Sequence, residues 1–160
     1  MLNVSDYKNN KEYIKLKDYK SFDYEIPNIF LDFIIEDTKV IVKTELKLIK
    51  KNIHTDILIL DGIDILVEKI YLDESPLEEN NYSIQKNKLF IKSILKETFT
   101  IRIEGAIKPK ENVSLLGMYE SNEIITTQCE AEGFRRISYH SDRPDILSKY
   151  KVRIEANKED

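Results

Sequence analysis

The sequence predicts an antiparallel all-β protein with one short helical turn. Two observations support this fold class. Apolar and polar residues alternate with a period of two in three separate segments, which is the pattern of a strand with one buried face. Short apolar runs elsewhere are separated by residues typical of tight turns. No repeat or Pro/Gly-rich linker interrupts this pattern, so a domain boundary inside the chain is not expected.

Three segments with clear alternation are expected to be strands that bury their apolar face. The polar positions between the apolar ones are mostly Lys, Arg and Glu, which suit a solvated face. The apolar positions are Val40, Val42, Leu46 and Leu48 in the first segment, Phe99, Ile101 and Ile103 in the second, and Tyr150, Val152, Ile154 and Ala156 in the third.

Further strands are predicted where shorter or more continuous apolar runs occur. Gln85-Lys86-Asn87 is expected to close a hairpin between residues 82–84 and 89–91. Glu36-Asp37-Thr38 and Asp61-Gly62 suit tight reversals. A short helical turn is expected after Gly133-Phe134. The runs themselves are Ile29 to Ile35, Ile57 to Leu60, Ile63 to Leu72, Lys88 to Ile91 and Glu123 to Thr127.

Length and composition narrow the class of protein. A chain of 160 residues can bury one core, and we expect residues 1–17 to be a loosely held polar leader and residues 18–160 to be a single β domain.

The net charge is -4, with Lys and Glu interleaved, so neither nucleic acid nor an anionic membrane is an expected partner. A single Cys excludes an internal disulfide. The start lacks the layout of a secretion signal and no apolar run approaches the roughly 18 residues of a spanning helix, so we predict a cytoplasmic protein.

The most informative segment is residues 126–145, which read TTQCEAEGFRRISYHSDRPD. It resembles the TQCEAEGFR-[IV]-[ST]-[YF]…DRPD signature of the bacterial alanyl aminopeptidases, the aminopeptidase N branch of the zinc-dependent gluzincin peptidases. Leu116-Gly117-Met118-Tyr119 matches a further element, G-[LM]-Y, and Asp18-Tyr19-Lys20 with Tyr24-Glu25-Ile26 matches the N-terminal DYK…Y-x-I. The resemblance covers roughly residues 17 to 156. His140 departs from it, because the family usually has an aromatic residue there.

Two other family motifs are missing from the chain. The zinc site of the family uses H-E-x-x-H with a distant Glu, whereas this sequence has only His54 and His140, far apart. The Gly-Ala-Met-Glu-Asn strand is also absent. The resemblance therefore implies the N-terminal domain of such an enzyme, a saddle-like or sandwich-like arrangement of antiparallel sheets, with zinc held by another domain of the parent and none bound by this chain.

The resemblance assigns substrate-binding roles to Gln128 and Glu130. It implies that Glu130 helps to hold the α-amine of a peptide substrate and that Gln128 lines the pocket for the first side chain. A carboxylate suits this task, because its hydrogen bond to an ammonium group is charge-assisted. In an extended segment, residues two apart also point to the same side. From the residues alone, a Q-x-E pair is common and reads more readily as two ordinary solvent-facing side chains at a strand end.

Other polar residues of the segment have simpler interpretations. Cys129 is expected to face inward as a small hydrophobe rather than to act as a nucleophile. Glu132, Arg135 and Arg136 are expected to form ion pairs, although either arginine could face the missing domain. Residues 142–145, Asp-Arg-Pro-Asp, read as a turn that aims a following strand. His54 is expected to be exposed, and an unpartnered His140 to be packed or solvated rather than a ligand.

Two functions remain open from the sequence. The first is a substrate-anchoring domain of a zinc aminopeptidase, inactive by itself and partnered by the catalytic domain of the same parent chain. The alternative is a stand-alone β-sandwich module that binds a peptide or protein without catalysis. The resemblance further implies that the domain continues beyond residue 160, which would leave the strand at residues 150–156 at an edge and favour weak self-association.

Overall fold

The largest unit of the fold is a six-stranded sheet, seen in a computed structural model that describes residues 15–157. The strand order is β11-β1-β2-β8-β4-β5. All neighbours in it are antiparallel except β1 and β11, which are parallel. The strands are β1 (Tyr24–Ile35), β2 (Val40–Lys50), β4 (Leu66–Leu72), β5 (Ser75–Pro76), β8 (Thr98–Ile107) and β11 (Lys149–Glu155).

Two smaller antiparallel sheets complete the strands. The first has three strands in the order β3-β7-β6, and the second is the two-stranded ribbon of β9 and β10. The all-β prediction is confirmed, with one parallel pair added to the antiparallel sheets. These strands are β3 (Leu58–Asp61), β6 (Tyr82–Gln85), β7 (Lys88–Ile91), β9 (Gly117–Ser121) and β10 (Ile124–Gln128).

The core is built from the alternating strands β2 and β8 at the centre of the large sheet. Val40, Leu46 and Leu48 are completely buried on β2, and Ile101 is completely buried on β8. The two strands pair in a register that sets Leu46 opposite Ile101. Because these positions share one face, the period-two pattern of the sequence places all of them in the core. The predictions for residues 40–48 and 99–103 are therefore confirmed.

The third alternating segment forms a strand, but its apolar face is not buried as predicted. Tyr150, Val152 and Ile154 of β11 are 49%, 51% and 66% exposed. β11 is the terminal strand of the sheet and pairs only with β1 among the described residues. Alternation shows which side chains share a face, but it does not show whether another element covers that face. This is why the burial prediction was wrong here.

The predicted reversals are confirmed between β6 and β7 and after β1, where the N–H of Glu36 donates to the oxygen of Lys39 at 3.0 Å. The reversal predicted at Asp61-Gly62 is wrong, because Asp61 is the last residue of β3 and pairs with Lys88. Lys86 and Asn87 link β6 to β7 with φ angles of 48° and 63°, as a two-residue hairpin turn of this hand requires. The predicted helical turn is a 3₁₀ turn at Phe134–Arg136. Three further 3₁₀ turns occur among residues 15–157, where the sequence predicted only one; they are Leu16–Asp18, Glu79–Asn81 and Pro109–Glu111. Most of the predicted polar leader lies outside the described residues, and no helix of residues 15–157 is long and apolar enough to cross a membrane.

Candidate functional site

The candidate site begins at the end of the β9–β10 ribbon. Asn122 and Glu123 form the turn of this hairpin, both in the left-handed region with φ angles of 51° and 66°. The register pairs Gln128, the last residue of β10, with Gly117, the first residue of β9. Gln128 therefore lies at the base of the ribbon, where the chain leaves β10 and enters the loop of residues 128–133.

The 128–133 loop brings Gln128 and Glu130 together by a hydrogen bond. The side-chain Nε2 of Gln128 donates to the backbone oxygen of Glu130 at 2.9 Å. Both residues are exposed. Since β10 ends at Gln128, the alternation of an extended strand does not reach Glu130, and this hydrogen bond sets the relative position of the two residues. The Glu130 carboxylate makes no hydrogen bond or ion pair with any described residue.

Glycine allows the loop to fold back onto β10. The backbone N–H of Gly133 donates to the oxygen of Cys129 at 2.8 Å. A Cβ atom at Gly133 would lie 2.4 Å from the oxygen of Gln128 and 2.8 Å from the Cα of Cys129. Both neighbours are backbone atoms, so they cannot rotate away. The sequence motif contains this glycine, but the residue pattern gave no sign of its steric role.

Arg135 holds the segment after the loop in place through hydrogen bonds and ion pairs. Its Nε donates to Oδ2 of Asp142 at 3.0 Å, its Nη2 donates to the backbone oxygen of Asp142 at 3.0 Å, and Nη2 lies 3.3 Å from Oε1 of Glu132. Burial alone would lower the pKa of Arg135, but the hydrogen bond to Asp142 and the nearby carboxylates raise the pKa above its ordinary value. Arg136 forms an ion pair with Asp64. The predicted pairing roles of these arginines are confirmed.

Backbone bonds hold the same segment against β3. Asp61 and His140 exchange two hydrogen bonds, of 2.7 Å from the Asp61 N–H and 3.0 Å from the His140 N–H. The N–H of Ile63 donates to the oxygen of Arg135 at 2.8 Å. The 128–133 loop is therefore fixed at its start by the ribbon and at its end by these bonds to β3 and the residues after it.

Cys129 has the structural role that its position predicts. It is half-buried and packs against the hydrophobic core. Burial, and then the charge of Asp142, raise the pKa of its thiol. A raised pKa disfavours the thiolate, which is the nucleophilic form. Cys129 therefore lacks the environment of a catalytic cysteine.

The two histidines are not arranged as metal ligands. His54 is exposed, as predicted. His140 is only 5% exposed, and its Nε2 lies 3.0 Å from the hydroxyl of Tyr150. Burial lowers the pKa of His140, although the charges of Asp142 and Asp61 act in the opposite direction. Across residues 15–157, no group of three or more His, Cys, Asp or Glu side chains is placed to hold a metal ion, so the described residues do not fit zinc.

A cleft of about 450 Å³ is lined in part by Arg136, which follows the 128–133 loop in the sequence. Its lining includes Asp64, Met118, Arg136 and Tyr139, but neither Gln128 nor Glu130. The two predicted substrate-binding residues therefore occupy an exposed loop and not an enclosed pocket. A substrate group held there would need further walls from outside the described residues.

The Asp-Arg-Pro-Asp element of residues 142–145 contacts the Asp-Tyr-Lys element of residues 18–20. Oδ2 of Asp145 accepts hydrogen bonds from the Tyr19 hydroxyl at 2.7 Å and from Arg143 Nη2 at 2.7 Å. Arg143 Nη2 also donates to the backbone oxygen of Lys20 at 2.9 Å. Arg143 and then Tyr19 hold the pKa of Asp145 well below its usual range. The Asp-Tyr-Lys element and the Asp-Arg-Pro-Asp element thus form one contact.

Comparisons with known proteins agree with these features. The family model for the Peptidase M1 N-terminal domain matches residues 20–160. The aminopeptidase N of Caulobacter vibrioides is 37% identical over 144 residues, which cover 90% of this chain and 17% of the relative. The aminopeptidase N of Escherichia coli is 35% identical over 141 residues, which cover 88% of this chain and 16% of the relative. The chain therefore spans about one sixth of the length of these curated relatives.

Solved structures show the same fold. A Legionella pneumophila aminopeptidase A matches with a TM-score of 0.84 and 35% identity, over 91% of this chain and 17% of that one. The yeast LTA4 hydrolase matches with a TM-score of 0.70 at 18% identity, over 84% of this chain and 23% of that one, and this similarity concerns the fold alone. Taken with the family match over most of the sequence, these findings show that the chain belongs to the Peptidase M1 N-terminal domain family.

Proposed function

We propose that this chain is the substrate-anchoring domain of a zinc-dependent aminopeptidase and that Glu130 binds the α-ammonium group of the peptide. The observation that carries the proposal is the exposed Glu130 carboxylate, which has no side-chain partner among residues 15–157 and stands on a loop fixed at both ends. A carboxylate held in this way is free to accept a charge-assisted hydrogen bond from an ammonium group. The names of the relatives as aminopeptidases support the same reading.

Gln128 is proposed to contact the first side chain of the substrate. One N–H of its Nε2 is engaged by the backbone oxygen of Glu130, so its amide oxygen and its second N–H are the groups available to a ligand. The same hydrogen bond keeps the two residues adjacent. Replacing Gln128 would therefore change both a contact to the substrate and the position of Glu130.

Zinc is proposed to lie in another domain of the full-length protein. A solved relative from Deinococcus radiodurans, with 14% identity and the same fold, is described as an M1 zinc metallopeptidase, whereas residues 15–157 offer no cluster of ligands. This domain then contributes binding and orientation, and the isolated chain has no activity of its own. The position of Glu130 outside the cleft supports a site shared between two domains.

The test uses a full-length protein that contains this chain together with the zinc-binding domain proposed above. Glu130→Ala should lower kcat/KM for peptides with a free N-terminus by a factor equivalent to about 1.5–3 kcal/mol, the usual worth of a hydrogen bond to a charged group. The zinc content should stay unchanged, and Glu130→Gln should retain part of the binding. Wild-type kcat/KM in the alanine variant would show that Glu130 is an ordinary surface carboxylate. A reading frame that ends at residue 160 would favour the binding-module alternative.

A further inference from the structure

His140 lies in a buried cluster with two aromatic rings. Only 5% of the residue is exposed. Its ring centroid lies 5.2 Å from that of Phe134, in an edge-to-face arrangement, and 6.4 Å from that of Tyr150 on β11. A hydrogen bond of 3.0 Å joins its Nε2 to the hydroxyl of Tyr150. Packing against two rings does not require a titratable side chain, so the imidazole needs a further explanation.

The second ring nitrogen of His140 has no hydrogen-bond partner. Among residues 15–157, no group bonds to its buried Nδ1. In the neutral ring one nitrogen can remain a bare acceptor, but in the protonated ring both nitrogens carry a hydrogen. Protonation would therefore leave a buried N–H donor of a charged group without a partner, which is costly. The cluster tolerates the neutral ring and disfavours the imidazolium.

The nearby carboxylates do not remove this cost. The charges of Asp61 and Asp142 favour protonation of His140, but burial outweighs them and lowers its pKa. Both carboxylates are already bonded elsewhere, Asp61 to Lys88 and Asp142 to Arg135. A protonated ring can reach water or these carboxylates only by leaving its place. The charged and titratable groups on the elements around the ring are Asp61 of β3, Lys88 of β7, Cys129 of the loop, Arg135, Asp142 and Tyr150 of β11.

The cluster holds the end of the 128–133 loop. Phe134 directly follows this loop, and its ring centroid lies 5.2 Å from that of His140 and 6.1 Å from that of Tyr150. The backbone of His140 is bonded to β3 through Asp61. Displacement of the imidazole would therefore remove one wall from the Phe134 ring and loosen the end of the loop.

We propose that His140 and Tyr150 position the 128–133 loop and that protonation of His140 opens it. With the neutral ring, the Tyr150 bond and the Phe134 contact keep the loop folded back on β10. With the protonated ring, this segment opens and Glu130 loses its fixed position. The consequence for substrate use rests on the anchoring role proposed for Glu130, whereas the order of the loop does not.

Hydrogen exchange of the 160-residue chain measures this opening. The N–H groups of Gly133, Ile63 and His140 donate to backbone oxygens within and beside the loop, and each exchanges when its bond breaks. After correction for the intrinsic pH dependence of exchange, an opening that exposes His140 should become more frequent by up to about tenfold for each pH unit below about 6.5, the limit set by one proton. His140→Phe should remove this dependence, because its ring takes up no proton. The amides of β2 and β8 report global unfolding and should be better protected.

Two hydroxyl deletions test the part played by Tyr150. Tyr150→Phe keeps a ring beside Phe134 but removes the bond to His140, so the loop amides should lose protection by about threefold to tenfold at pH 7. The same change in the His140→Phe background should have no effect, because the bond is already absent there. Tyr82→Phe is the matched control, since it removes a hydroxyl from a half-buried tyrosine of β6, and it should leave the loop amides unchanged.

Two results would overturn the proposal. The first is loop amides that exchange at the rate of β2 and β8, or with the same pH dependence in wild type and His140→Phe. The second is a loss of protection in Tyr150→Phe that persists in the His140→Phe background, which would show that the bond between the two side chains does not hold the loop.

Kinetics of the full-length protein separate this inference from the proposed function. The ratio of KM between wild type and His140→Phe should rise below about pH 6.5, while the ratio of kcat stays constant. A constant KM ratio would overturn the effect on substrate use. If Glu130→Ala keeps the wild-type kcat/KM while the loop amides still follow the protonation of His140, the proposed function fails and the positioning of the loop by His140 stands.

Discussion

Replacing Gly133 with Ala tests whether the 128–133 loop is held by steric fit. Gly133 has φ of -87° and ψ of -22°, which any residue adopts, so the backbone angles carry no penalty. The added Cβ would lie 2.4 Å from the oxygen of Gln128, 2.8 Å from the Cα of Cys129 and 3.1 Å from the N of Gly117. All three are backbone atoms. We expect the free energy of unfolding to fall by about 1–3 kcal/mol, as is typical of overpacking.

Urea unfolding of the isolated chain measures this loss. With a slope of about 1–3 kcal/mol per molar urea, the midpoint should fall by about 1 M. Gly105→Ala is the matched control, because its Cβ would lie 2.5 Å from the backbone oxygen of Leu66, far from the loop in the sequence. Both variants should be destabilised, but in the full-length protein only Gly133→Ala should also raise KM for peptides with a free N-terminus. An unchanged midpoint for Gly133→Ala, or equal KM changes for both variants, would refute a steric hold on Glu130.

Three further outcomes are expected. The isolated chain should bind no stoichiometric zinc and release no amino acid from peptides, which metal analysis and a peptidase assay check; one tightly bound zinc per chain would contradict this. Burial lowers the pKa of His140 in the folded chain. At pH values below about 6.5, the ordinary pKa of histidine, this residue therefore takes up a proton more readily in the unfolded chain than in the folded chain. The free energy of unfolding should therefore fall as the pH drops from 7 toward 5, and His140→Phe should flatten that dependence in urea unfolding. Arg143 and Tyr19 lower the pKa of Asp145, so its stabilising effect is lost as the pH falls below the usual aspartate range, and Asp145→Asn should remove that acid-dependent part of the unfolding curve.

The sequence predicted the fold best where one periodic pattern decides the structure. Alternation placed the residues of β2 and β8 in the core, because both strands have neighbours on each side and a layer over one face. The same alternation on β11 predicted the strand but not its exposure. Burial depends on what lies above a strand, and this is a property of the whole sheet. The parallel pairing of β11 with β1 was also missed, because an alternating pattern does not show in which direction a strand runs relative to its neighbour.

The sequence names the residues of the candidate site, which stay a prediction, but it does not give their geometry. The motif identified Gln128 and Glu130, and the resemblance, not the spacing, assigned their proposed roles. The strand-based argument for their shared direction does not apply, because β10 ends at Gln128. A side-chain hydrogen bond, a glycine contact and the Arg135–Asp142 pair position them instead. These interactions join residues whose geometry no periodic pattern encodes.

The arrangement around Glu130 bears on the binding role proposed for this exposed side chain. An isolated surface carboxylate gains little from an ion pair, because water screens the charge and ordering the side chain costs entropy. Here the backbone on both sides is already ordered by the β9–β10 ribbon and by the bonds to β3. The remaining costs are the ordering of the Glu130 side chain itself and the desolvation of its carboxylate, which a facing domain would bring about by excluding water. A second domain would therefore convert a weak surface charge into a strong anchor, and this predicts that Glu130→Ala affects substrate use by the full-length protein while leaving the free energy of unfolding of the isolated chain within about 0.5 kcal/mol of wild type.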